Sequence, residues 1–185
     1  MWLSKLCDIV WYMINTVSEF INRLKNRKPS YGDAYPEMGL YMDQVITLLE
    51  SQLEVDESIT ANMVNNYVKD GYIPRPAQKK YFRDQVLRLS ILFQLKPVLP
   101  ISTLGKCLAS VGSGGEMTTF FGRLSGMQEE SLHALGDRLE RECAKLADNP
   151  DEARLTALRL ATEANALREA SLKILGSLEP LPSPE

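Results

Sequence analysis

Asn62, Asn65, Asn66 and Lys69 fall in one short stretch of the chain. A carboxamide offers a donor and an acceptor side by side, which matches the edge of a base, and an ammonium seeks phosphate oxygens. At the pitch of an α-helix these four residues share one face, while Met63, Val64, Tyr67 and Val68 take the other and turn to a core. A second group follows at once: Arg75, Lys79 and Lys80, with Tyr81 closing the run and Arg83 just beyond it. Cations grouped in this way are suited to neutralising phosphates, and the amide face before them is suited to reading bases in a major groove.

These residues need two local structures to hold them. Thr60 is a good N-cap, because its hydroxyl can accept from the unpaired N–H groups of the next turn, so a helix is expected over Ala61–Asp70. Gly71 should end it, since glycine enters the left-handed conformation without a Cβ penalty. Ile73-Pro74-Arg75-Pro76 cannot be helical, so the chain should run extended as far as Lys79, Lys80 and Tyr81. A short polar helix followed by a basic arm is the expected unit.

The same stretch resembles a MerR-like winged helix-turn-helix. Tyr67, Gly71 and the pair Ile73-Pro74 stand where MerR-type proteins carry an aromatic residue, a turn glycine and the start of the wing, and Lys79-Lys80-Tyr81 stands where they carry a basic wing tip ending in tyrosine. Leu40-Tyr41-Met42-Asp43-Gln44-Val45, Met63-Val64-Asn65-Asn66-Tyr67-Val68-Lys69 and Lys79-Lys80-Tyr81 are similar, in that order, to a bacterial family of uncharacterised proteins assigned to that superfamily, over residues 35–110. There are two departures: Asn65 replaces the usual recognition-helix arginine, and Phe82 replaces the serine that tends to cap the next helix. The resemblance implies a mainly α fold with a small β wing. It also implies double-stranded DNA as the partner, with contacts from Asn62, Asn65, Asn66, Tyr67, Lys69, Arg75, Lys79, Lys80, Tyr81 and Arg83.

The net charge of −3 argues against a nucleic-acid partner until it is divided along the chain. Residues 60–110 carry eight basic against two acidic residues, whereas residues 31–59 carry seven acids and no base. A local basic face is the electrostatic footprint that phosphate binding requires. The three cysteines, Cys7, Cys107 and Cys143, are odd in number and far apart, which points to reduced thiols and a cytoplasmic setting. His133 is the single histidine, and no Cys-x-x-Cys, Walker loop, Gly-x-Gly-x-x-Gly or Gly-x-Ser-x-Gly occurs. No enzyme, metal site or cofactor is read here.

The remaining chain falls into helices. Residues 1–30 hold an amphipathic helix with an apolar stripe from Leu6 to Leu24, interrupted by Lys5, Asp8, Glu19 and Arg23, so a membrane span is not expected. The stripe suits the domain itself, a partner chain or, with Trp2, Trp11, Lys25, Arg27 and Lys28, a membrane surface. Residues 28–37, with Pro29, Gly32 and Pro36, read as a linker. A helix from Met38 to Leu53 would open the helix-turn-helix domain (36–110), with the acidic residues 54–57 in its turn. Phe82–Leu95 is apolar nearly all round and belongs in the middle of a core.

Residues 111–125, with four glycines up to Gly122, are expected to be a mobile connector, and Ser125 with Gln128 to cap a helix reaching Ala147. Asn149-Pro150-Asp151-Glu152 caps the last helix. In it Leu160, Leu167 and Ile174 recur every seven residues, as do Ala157, Ala164 and Ser171. That seam fits a hairpin within 126–177 or the same helix of a second copy, a homodimer; residues 178–185 form a tail. The function expected is that of a DNA-binding transcriptional regulator. A non-enzymatic adaptor and a membrane-surface protein are its alternatives.

Overall fold

The computed structural model describes residues 15–27, 34–53, 58–144 and 149–178. The stripe positions before Asn15, the acidic turn 54–57 and most of the tail lie outside them. The described chain is mainly helical: residues 15–26 (α1), Met42–Gln52 (α2), Ala61–Lys69 (α3), Arg83–Leu95 (α4), Ile101–Ala109 (α5), Gly115–Cys143 (α6) and Pro150–Ser177 (α7). Among the described residues there is no strand, only the single bridges Leu40–Tyr81 and Ala77–Lys80, so the expected β wing does not form a ladder. Pro74 and Pro76 lack the N–H groups a ladder would need.

The contacts divide the chain into two compact units, Ser30–Arg123 with Leu167–Glu185, and Met1–Pro29 with Leu124–Ala166. The first unit is built on α4. Every residue from Gln85 to Phe93 is buried, as an all-round apolar helix requires, and α4 packs on α5 while α2 packs on α3. Val45 and Leu49 of α2, Val64 of α3, Leu104 and Leu108 of α5, and Met117 and Phe121 of α6 complete this core. Gly105 lets α5 approach closely, since a Cβ there would lie 2.1 Å from the Tyr72 ring.

Two polar residues on α4 do structural work in this core. Buried Arg88 pairs with Asp84 at 2.9 Å and donates to the carbonyls of Leu108, Val111 (2.9 Å) and Gly112 (3.0 Å), closing the C-terminal end of α5. Asp84 also accepts from Gly114 N at 3.2 Å. The glycine segment is thereby fastened down, and α6 begins at Gly115 and continues unbroken through Gly122 and Gly126. This corrects both the mobile connector and the helix start at Ser125, which is instead a buried position inside α6. Burial of Met117 and Phe121 outweighs a glycine cost of roughly 1 kcal/mol per residue.

The stretch expected as a linker contributes Tyr35, which is 0% exposed. Its ring meets Phe121 edge-on at 5.5 Å and its hydroxyl lies 2.8 Å from Ser90 Oγ.

In the second unit, α1 buries Ile21 and its Lys25 reaches Asp137 (2.7 Å) and Glu140 (2.9 Å), with the lysine stem lying over Gly136. The lysine holds the Asp137 carboxyl below its ordinary range. Asn149 accepts from Asp151 N (3.1 Å) and Glu152 N (3.3 Å), the cap that opens α7. Arg138 of α6 pairs with Glu163 of α7 at 2.8 Å, and Arg159 pairs with Glu142 and Glu163.

Candidate nucleic-acid interface

Helix α3 forms where its local chemistry demands. Thr60 Oγ1 accepts from Met63 N at 3.3 Å, and the far end closes in a Schellman motif: Tyr72 N donates to Tyr67 O (2.9 Å) and Gly71 N to Val68 O (3.2 Å). Gly71 has a φ of +78°, which supplies the left-handed turn the motif needs. Val64 is buried, and Met63, Tyr67 and Val68 are half-buried. Asn62, Asn65, Asn66 and Lys69 are exposed, as the helical phase requires.

The arm is anchored at both ends. Ile73 is buried at its root, and Tyr81 exchanges two hydrogen bonds of 2.8 Å with Leu40 at its return. Between them, Lys80 N donates to Ala77 O at 2.9 Å across a two-residue turn whose central residues both have positive φ, Gln78 at 50° and Lys79 at 64°. That is the geometry of a type I′ turn, normally filled by Asn-Gly, so two ordinary side chains occupy a costly conformation at the tip. Lys79 and Arg75 are exposed.

The expected contact residues therefore separate. Asn62, Asn65, Asn66, Lys69, Arg75 and Lys79 reach the surface. Lys80 is half-buried and lays its ammonium over the Tyr41 ring, 5.2 Å from the centroid. Tyr67 turns to Phe93, with ring centroids 5.6 Å apart. Tyr81 leaves the contact set: it is 3% exposed, and burial pushes its phenol above the ordinary tyrosine value. Arg83 is half-buried and already engaged, donating to Tyr35 O (2.7 Å) and Glu37 (3.1 Å), so it braces residues 35–37. With Arg88 buried as well, the basic segment presents fewer outward charges than its composition implies.

Two residues of this region were missed in the sequence. Gln78 shares the tip with Lys79, and nothing in its type signals a positive φ. Gln85 is buried at the third position of α4, where its Oε1 accepts from Phe82 N at 2.6 Å. The signal for it was the repeated Tyr-x-x-Gln and Phe-x-x-Gln spacing, since Gln44 caps Tyr41 N in the same way at 2.9 Å.

The seam residues of α7 lie on a helix that has no buried residue. Ala157 and Ala164 are exposed and Leu160 half-buried; further on, Leu167 (69%) and Ile174 (63%) are exposed and Ser171 is half-buried. Among the described residues no group of three His, Cys, Asp or Glu side chains is placed to hold a metal, and no helix is long and apolar enough to cross a membrane.

Residues 29–119 match a family described as Domain of unknown function (DUF1836). This agrees with the resemblance to an uncharacterised family carried by residues 35–110. No curated protein and no solved structure matches the chain.

Proposed function

We propose that the unit containing α2 to α5 binds double-stranded DNA as a MerR-like winged helix-turn-helix, with α3 in the major groove and the arm on the phosphate backbone. The observation that carries this reading is the exposed amide-and-lysine face of α3, continued without a break in the chain by an anchored arm that exposes Arg75 and Lys79. The wing is reduced to one turn, and exposed Lys79 at its tip would meet a groove edge or phosphate in this reading. Asn65 and Asn66 supply base readout in place of the arginine that MerR-type helices carry, with adenine as the chemical match. A second copy joined through the Leu160, Leu167 and Ile174 face of α7 would present two such units to two half-sites. The role that follows is transcriptional regulation in the cytoplasm.

Footprinting the purified protein on fragments of its own genome tests this. Discrete protected sites are expected. Asn65→Ala and Asn66→Ala should change which sites are protected while leaving binding to random duplex within about threefold, because base contacts specify and phosphate contacts position. Protection that ignores both substitutions counts against the groove assignment.

A protein-binding adaptor is the second reading. It is favoured by the inward use of Arg83 and Arg88 and by the exposed Leu155, Leu158, Leu167 and Ile174 of α7. Retention on heparin that falls with salt separates the two, since an adaptor has no need of it.

A further inference from the structure

We propose that Gln85 is the positioning residue for Arg75: it fixes the direction in which the arm's arginine leaves the backbone, and thereby its contact with an anionic backbone. The proposal deepens the duplex-binding reading and rests on it for the identity of the anion, although not for the geometry.

Pro74 and Pro76 have no N–H, and among the described residues the segment has no strand partner, so no ladder defines its twist. Its carbonyls are instead held from below. Gln85 Nε2 donates to Pro74 O at 3.2 Å and to Arg75 O at 3.0 Å, one hydrogen for each of two successive carbonyls. Those carbonyls belong to the two peptide planes on either side of the Arg75 Cα. A rigid planar amide that grips both planes fixes φ and ψ of the residue between them, and with them the Cα–Cβ direction. Pro76 narrows ψ of Arg75 further to the extended region.

Gln85 is itself held in place. It opens the buried run Gln85 to Phe93 of α4, it is 7% exposed, and its Oε1 accepts from Phe82 N at 2.6 Å. A buried amide with both ends satisfied is expensive to break, because each abandoned carbonyl keeps its desolvation cost. Arg75 thus points outward from a backbone that is pre-set, and a pre-set cation loses less freedom on meeting its partner.

Gln85→Met keeps the volume and removes both carbonyl contacts together with the acceptor for Phe82 N. Two measurements on the full chain test the proposal. In ¹⁵N relaxation the Arg75 amide of the wild type is expected near an order parameter of about 0.85, and in Gln85→Met below about 0.6, with Val64 of α3 unchanged. In binding to a random-sequence duplex, Arg75→Ala should weaken the wild type about tenfold and the Gln85→Met protein less than about twofold, while Lys69→Ala weakens both backgrounds equally. Gln85→Glu, studied with its carboxyl protonated, retains one donor and the acceptor for Phe82 N. It should recover part of the rigidity and stands in if Gln85→Met does not fold. A rigid Arg75 amide without Gln85, or an undiminished effect of Arg75→Ala in its absence, overturns the proposal. Loosening of the arm in a protein that binds no duplex would support Gln85 as the anchor and remove the duplex reading alone.

Discussion

At the scale of single residues, the cations of the basic segment divide by what their neighbours require of them. Arg83 and Arg88 satisfy carbonyls and carboxylates within the unit, whereas Lys69, Arg75 and Lys79 stay at the surface. Composition could not make that division, because it depends on Tyr35, Glu37 and the end of α5, which are remote in sequence. Lys79→Ala is expected to lower the salt dependence of duplex binding by about one unit of slope and to weaken all sequences alike. Adding Lys80→Ala should lower it further by less than that, since Lys80 lies over Tyr41. A filter or anisotropy titration across salt concentrations checks both. Tyr81 carries a pH prediction. Its folded pKa is raised by burial, so the stability it contributes is complete below the unfolded value of about 10 and is lost as pH rises through the folded value. Denaturant midpoints measured above and below pH 10 should fall with pH in the wild type and fall less steeply in Tyr81→Phe.

At the scale of elements, the helix starts and stops that rest on one residue's chemistry were visible in the sequence, and those that rest on tertiary contact were not. The Thr60 cap, the left-handed Gly71 and the Asn149 cap are local and were read directly. The path through residues 111–126 was not, because a run of glycines looks like a hinge until Arg88 and Asp84 hold it and Met117 and Phe121 bury the turn that follows. Tyr35 was hidden for a similar reason: a tyrosine standing between Gly32 and Pro36 belongs to no helix or strand pattern that would mark it as buried. The tip turn yields the sharpest test at this scale. Replacing Gln78-Lys79 by Asn-Gly should raise stability by about 1–2 kcal/mol, since both positions have positive φ, while weakening duplex binding. Thermal melts and binding on the same preparation check it, and a gain in both would deny the tip a contact role. Gly105→Ala should act in the opposite sense, destabilising by about 1–3 kcal/mol as its methyl meets the Tyr72 ring.

At the scale of the whole molecule, an overall acidic chain exposes Lys69, Arg75 and Lys79 on one helix and one arm of a single unit. The other unit is tied by Lys25–Asp137 and Arg138–Glu163, half-buried surface pairs that salt weakens in part. The apolar positions of α7 bear on assembly. Leu167→Glu with Ile174→Glu should convert a dimer to a monomer in sedimentation if this face joins two copies, and duplex affinity for paired half-sites should fall with it. Whether the exposed α3 and arm residues meet phosphates is the claim on which the rest depends, and the most direct measurement is the salt dependence of random-duplex binding by the wild type and by Lys69→Ala/Arg75→Ala/Lys79→Ala. Wild-type affinity should fall steeply with salt, and the triple variant should lose close to three units of slope at about 0.9 per phosphate. Equal slopes for the two proteins, or no salt-sensitive binding by the wild type, would contradict the account.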